Sequence, residues 1–374
     1  MYKILSLFAV LAIIASIAQA QETYIVDLAG TGDFTTIHEA VEAASAGDTI
    51  RVQPDQYAFT ADLGPVEVDK KLVIIGSGYM PVEDGGTELI DIPGTGFFDL
   101  TGSADGTVIK GFRVQGAAGF LDTDAGTSSI TIENNLFISG NSVLTFGGAQ
   151  DTVRSNVFLS TGHLSINANG ANTQILNNIF TQSKLASTAH FLIYITNGNG
   201  VILAYNTFLN DLNTAGYVIR VTGGAPEIYS NGFANFDSPH GTLLASSSTP
   251  FSTNNAFYGT NQAFGLNQVL EEPSFEGFDV DNEVLDIEAV DDFEFDLTLS
   301  DASEWINTGR TGTPYLDTDG SRSDIGIYAG PVPFNDGRGA PSVPVVIEFQ
   351  VTPTTVSPTG TITITATGRI GDGD

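Results

Sequence analysis

An Asn-x-Phe signature recurring six times, at spacings of 21, 22, 28, 25 and 24 residues, predicts an all-β chain wound as a right-handed parallel β-helix, a solenoid of stacked coils. Its asparagines are Asn135, Asn156, Asn178, Asn206, Asn231 and Asn255. Apolar residues in fixed register support the same fold. Ile132, Val153, Ile175, Leu203 and Ile228 stand three places before an asparagine, and Phe137, Phe158, Phe180, Phe208, Phe233 and Phe257 two places after it. A coil alone cannot bury such positions, but stacked coils can. Asparagine suits the intervening bend because it tolerates left-handed backbone and because stacked amides can hydrogen-bond along the axis.

The elements follow in order. Lys3, an apolar run over 4–17 and Ala18-Gln19-Ala20 make residues 1–20 a secretory leader, with the mature chain starting near Gln21. The run is too short to cross a bilayer and no later segment is apolar enough, so no membrane insertion is expected. Thr36-Ile37-His38-Glu39 is a capping box, and Ile37, Ala40, Val41 and Ala44 form the apolar stripe of the helix it starts, which Gly47 is placed to end. This helix should cover the first coil, followed by strands at 49–52 and 72–75. IKGFRV fits an earlier coil, with Ile109 and Val114 in the apolar slots and Phe112 in place of the asparagine. A second strand per coil is expected at 142–146, 163–166, 191–195 and 217–221, with Phe191, Ile193, Ile195, Tyr217, Ile219 and Val221 inside and Tyr194 and Arg220 outside.

Beyond Asn255 the period fades. Residues 271–296 hold twelve acids, and no lysine or arginine occurs between Arg220 and Arg310, yet Phe275, Phe278, Phe293, Phe295 and Leu297 indicate a packed, irregular terminal region. The expected division is a leader over 1–20, a solenoid over 21–331, a linker over 332–344 around Gly339-Ala340-Pro341, and 345–374 as the start of an immunoglobulin-like β-module. Two strands are too few for a complete sandwich of that kind.

Without the leader the balance is 12 basic against 44 acidic residues, or −32, which argues against a nucleic-acid partner. With no cysteine, stability must come from burial and backbone hydrogen bonds. The four histidines lack zinc-ligand spacing.

GTGDFTTIHEAVEAASAGDTIRV, residues 30–52, resembles the opening of pectin-lyase-like β-helix proteins, pectin methylesterases among them. The Asn-x-Phe coils resemble the repeats of that superfamily, and WINTGRTGTPYLDTDGSRSDIGIYAGP, residues 305–331, resembles the closing segment of exported bacterial β-helix proteins. The resemblance implies the fold. It does not choose among the lyases, esterases, hydrolases, adhesins and tailspikes built on it.

Gly148 with Gln150-Asp151-Thr152 is similar to one methylesterase motif, but the family's second aspartate motif and its Arg-x-Trp motif have no counterpart. A lyase would need a base and calcium ligands on the outer face of the second strands, and the family's position falls on Thr145, His163, Ser165, Tyr194 and Arg220. Arg220 could serve as base, yet the sequence shows no cluster of acidic metal ligands with it on that face. No lyase, esterase or hydrolase motif is complete. His163, Tyr194 and Arg220 are therefore the expected contacts of a polysaccharide, through donors and a flat apolar ring. Asp317, Asp319 and Asp324, alternating with oxygen-bearing residues around Gly320, form either a structural calcium loop or a closing turn. The expectation is a secreted or cell-surface polysaccharide-engaging protein. The alternatives are a structural or adhesive module of a larger surface protein and a pectate-lyase-like or pectinesterase-like enzyme. Oligomeric state, glycan and catalysis stay open.

Overall fold

The computed structural model describes residues 21–58, 64–82, 85–92, 96–116, 119–139, 143–160, 166–182, 191–211, 217–235, 242–260, 262–283, 285, 287–291, 296–334, 345–352 and 363–369. Three parallel sheets run along one axis and, among these residues, hold ten, nine and eight strands. Each coil passes from the first sheet through the second to the third, as Thr131–Glu133, Leu136–Ser139 and Leu144–Phe146 do in succession. Every strand pairs with its counterparts one coil away, so the chain is a parallel β-solenoid.

The bend between the first and second sheets carries the asparagine ladder. Asn135 donates its backbone N–H and its Nδ2 to Asn156 Oδ1, at 3.0 and 3.1 Å. The pattern repeats from Asn156 to Asn178, Asn178 to Asn206, Asn206 to Asn231 and Asn231 to Asn255. Phe112, in the asparagine's place, donates its N–H to Asn135 Oδ1 at 3.0 Å. The left-handed residue of each bend is not the ladder asparagine. It is the residue before it: Asn134, Ser155, Asn177, Tyr205, Ser230 and Asn254, at φ between 52° and 59°. The ladder asparagine instead serves as a bridge that satisfies buried backbone groups, which would otherwise each cost about 1–3 kcal/mol.

Inside, the phenylalanines stack. Centroids from Phe137 through Phe158, Phe180, Phe208 and Phe233 to Phe257 are 4.6 to 5.2 Å apart, with planes within 20°. All six are buried. The apolar slots before the asparagines are equally closed, with Ile132, Val153, Ile175, Leu203 and Ile228 at 0% exposure.

At the N-terminal end the helix Ile37–Ala43 begins at Thr36, whose hydroxyl accepts the Glu39 N–H at 3.2 Å. Lys70 Nζ donates to the Val41 and Ala44 carbonyls, satisfying the opposite helix end. Ile37, Ala40 and Val41 are buried, and the helix packs on Thr23–Val26, Thr49–Val52 and Val66–Lys70.

The acidic terminal region folds back over the outer face of the second sheet. Phe275–Gly277 pairs antiparallel with Asp296–Leu299, and the helix Ile287–Asp291 follows the first of these strands. Phe278, Val280, Leu285, Val290, Leu297, Trp305, Ile325 and Ile327 form a second core with the outward-facing Leu136, Val157, Ile179 and Ala256. In the register column Val157, Ile179, Thr207, Gly232, Ala256 the side chains shrink where Trp305 arrives. A Cβ on Gly232 would lie 2.1 Å from the Trp305 ring.

The chain divides into two compact units, residues 1–334 and 335–374. In the second, Val345–Thr352 and Thr363–Arg369 pair antiparallel as a two-stranded hairpin. Among the described residues no helix is long and apolar enough to cross a membrane.

Candidate functional site

Alternation in the third sheet turns one residue of each strand into the core and the next outward. The apolar members, among them Val66, Val68, Phe98, Leu100, Leu121, Leu144, Phe146, Ile166, Ile193, Ile195, Ile219 and Val221, are buried. Between them stands an outward column in unbroken register: Glu67, Asp99, Asp122, Thr145, Asn167, Tyr194, Arg220 and Ala245. Successive members are one strand spacing apart, about 4.8 Å.

Tyr194 and Arg220 are register partners, both half-buried. The Arg220 guanidinium carbon lies 5.3 Å from the centre of the Tyr194 ring, within cation–π range. Thr222 Oγ1 donates to the Tyr194 hydroxyl at 3.4 Å. Asn167 Oδ1 is buried and has no hydrogen-bond partner among the described residues. At the other end of the column, partial desolvation and then the Asp122, Asp124 and Glu67 carboxylates raise the Asp99 pKa. Asp122 is raised too, by partial desolvation and by Asp124.

Of the expected contacts, the column brings together Tyr194 and Arg220, and it also carries Thr145 from the position of the family's site. His163 and Ser165 lie outside the described residues, and the strand expected at 163–166 is Ile166–Ala168, so Asn167 holds the outward place. Glu67, Asp99 and Asp122 were missed. Their signal was present as an acid between two inward-facing residues, in Val66-Glu67-Val68, Phe98-Asp99-Leu100 and Leu121-Asp122-Thr123.

Asp151, the centre of the methylesterase-like motif, is fully buried, and its Oδ1 accepts the Ile130 N–H at 3.0 Å. Its Oδ2 is buried without a hydrogen-bond partner among the described residues, and burial pushes its pKa up to about 7. A carboxyl enclosed in this way cannot meet a polymer on the surface.

Asp317 accepts N–H groups of Asp324, at 3.0 Å, and Gly330. Asp324 accepts the Asn307 N–H at 2.7 Å, and Asp319 accepts the Ser321 N–H and hydroxyl at 2.8 and 2.6 Å. These carboxylates cap turns of their own segment. Among the described residues no three of His, Cys, Asp and Glu are grouped to hold an ion.

Stacked coils carrying an asparagine ladder, a phenylalanine ladder and a continuous outward column define a parallel β-helix, the architecture that the resemblance to pectin-lyase-like proteins implies. No protein-family model and no curated protein matches the chain. Among solved structures, the pectate lyase Pel9A is similar over 82% of this chain and 96% of its own, at 15% identity and a TM-score of 0.45. The Dettilon tailspike protein gp208 is similar over 57% of this chain and 44% of its own, at 13% identity and a TM-score of 0.32. The fold assignment rests on the strand register and not on these likenesses.

Proposed function

We propose that the protein engages a polysaccharide along the outward column of the third sheet, with Tyr194 as stacking surface and Arg220 as hydrogen-bond donor. The observation that carries this reading is the half-exposed Tyr194–Arg220 pair, in register within a column of eight outward positions. A linear polymer laid along the axis can meet one side chain per coil. The leader-like first twenty residues support export, and the column offers contacts without a complete catalytic set, so binding is the activity proposed. The test is calorimetric titration with a panel of soluble oligosaccharides. Tyr194→Ala and Arg220→Gln should each weaken binding about tenfold, or about 1.4 kcal/mol. Unchanged affinity in both variants removes the site from this face.

A second reading, a structural or adhesive module of a larger surface protein, is favoured by the hairpin of Val345–Thr352 and Thr363–Arg369. An isolated two-stranded hairpin is marginal in water and gains from further strands.

A further inference from the structure

The column that would hold a polysaccharide is electrically polarised. Glu67, Asp99 and Asp122 stand in consecutive register at one end, with Asp124 two residues beyond Asp122, while Arg220 stands at the other. Like charges directly opposite one another on neighbouring strands are destabilising. Other columns of the solenoid avoid that cost. On the first sheet Lys110, Glu133 and Arg154 alternate in sign along the register, and Glu133 is bonded to both cations, at 3.2 Å to Lys110 and 2.6 Å to Arg154. On the second sheet Arg113 is paired with Glu88 and Asp291. None of the four third-sheet carboxylates makes a salt bridge among the described residues. The nearby Lys70 ammonium is engaged with the Val41 and Ala44 carbonyls and with Asp69.

Uncompensated charge at the acidic end, continuous with a stacking ring at the other, fits a cationic polymer. We infer that the bound polysaccharide carries free amino groups, whose ammonium charges lie over Glu67, Asp99 and Asp122 while a neutral stretch of the chain crosses Thr145, Asn167 and Tyr194. This rests on the polysaccharide reading above and adds the chemical class. A polyuronate would meet three carboxylates at this end, and an uncharged chain would leave their repulsion unrelieved.

The test compares a β-1,4-linked glucosamine oligomer, its fully N-acetylated counterpart and a galacturonate oligomer, each titrated into the full chain at mildly acid pH in the presence of chelator. Free amines should tighten binding about tenfold over the acetylated oligomer, with a preference that falls as salt rises. Glu67→Gln combined with Asp122→Asn should erase the preference, bringing the amine and acetylated oligomers to equal affinity. Glu271→Gln with Glu272→Gln removes the same net charge far from the column and should change nothing. Equal affinity for the amine and acetylated forms, with both still dependent on Tyr194, overturns the inference alone. A preference lost equally in the remote double variant also overturns it, since the attraction would then be that of the whole acidic protein. Galacturonate binding that appears only with added calcium and needs Glu67 and Asp122 would assign the carboxylates to a divalent ion and overturn it as well. No binding of any oligomer, or binding indifferent to Tyr194→Ala, fails the polysaccharide reading itself.

Discussion

Asp151 is the residue whose environment departs furthest from that of a free carboxyl. One oxygen takes the Ile130 N–H and the other has no partner among the described residues, and burial lets the group hold its proton up to about pH 7 in the folded protein. In the unfolded chain it titrates near 3.8. The folded state therefore binds more protons between these values, and stability falls as pH rises through that window. Its contribution is complete below about pH 4 and gone above about pH 7. Asp317, raised to about 6 mainly by burial, acts in the same direction over a shorter span. Denaturant unfolding of wild type and Asp151→Asn across pH 4 to 8 should show the variant flat above about pH 6, where wild type still loses stability. Parallel profiles would mean that the carboxyl finds a donor in solution. This residue also marks a limit of sequence reading: Gln150-Asp151-Thr152 looks like catalytic chemistry, and only packing reveals that the carboxyl points into a bend. Asn167 escaped for a different reason. Its strand is three residues long with small Ala168 in an inward slot, so apolar alternation is faint there.

Two elements set how the terminal region docks. Trp305, the only tryptophan, lies fully buried on Gly232, and its Nε1 donates to the Glu271 carbonyl at 2.9 Å. The strand Gly232–Ala234 cannot retreat, because Phe233 is held in the phenylalanine stack beneath it. Gly232→Ala should then expel the indole, with a red shift of its emission and a loss of about 1–3 kcal/mol from overpacking. Unchanged emission with an unchanged midpoint would place the tryptophan elsewhere. The second element is the turn around Asp317, Asp319 and Asp324. Because its carboxylates already accept N–H groups, the melting midpoint should be the same with and without chelator, whereas Asp317→Asn, which leaves one N–H unmatched, should cost about 1–3 kcal/mol. A midpoint lowered by chelator would instead select the calcium loop, the other reading of this segment.

At the scale of the whole molecule, the solenoid was legible because its period is written in residues with little freedom to vary: an asparagine that must bridge two coils and a phenylalanine that must stack on the next. The first two sheets follow directly from that signature. The third was legible at Leu144–Phe146, Phe191–Ile195 and Tyr217–Val221, was shifted at the three-residue Ile166–Ala168, and was missed at Val66–Lys70, Phe98–Ser103 and Leu121–Thr123, which precede the first Asn-x-Phe signature. The docking of the acidic region was not legible, since its contacts join residues more than a hundred positions apart without any repeat. Thr181 donates to the Leu285 carbonyl, Asn177 to those of Ile327 and Ala329, and Arg113 to Asp291.

Those three attachments bear on how such a molecule can change length by inheritance. A solenoid whose coils touch only their neighbours can gain one by tandem duplication, each copy adding about 4.8 Å to the rod. Between Arg113 and Thr181 that freedom is removed. A duplicated coil there would carry Arg113 one strand spacing away from Asp291 while Thr181 stayed beneath Leu285, and the returning chain would no longer reach both. The acidic region thus works as a gauge that fixes the number of coils beneath it, and duplications compatible with this fold belong on the N-terminal side of Arg113.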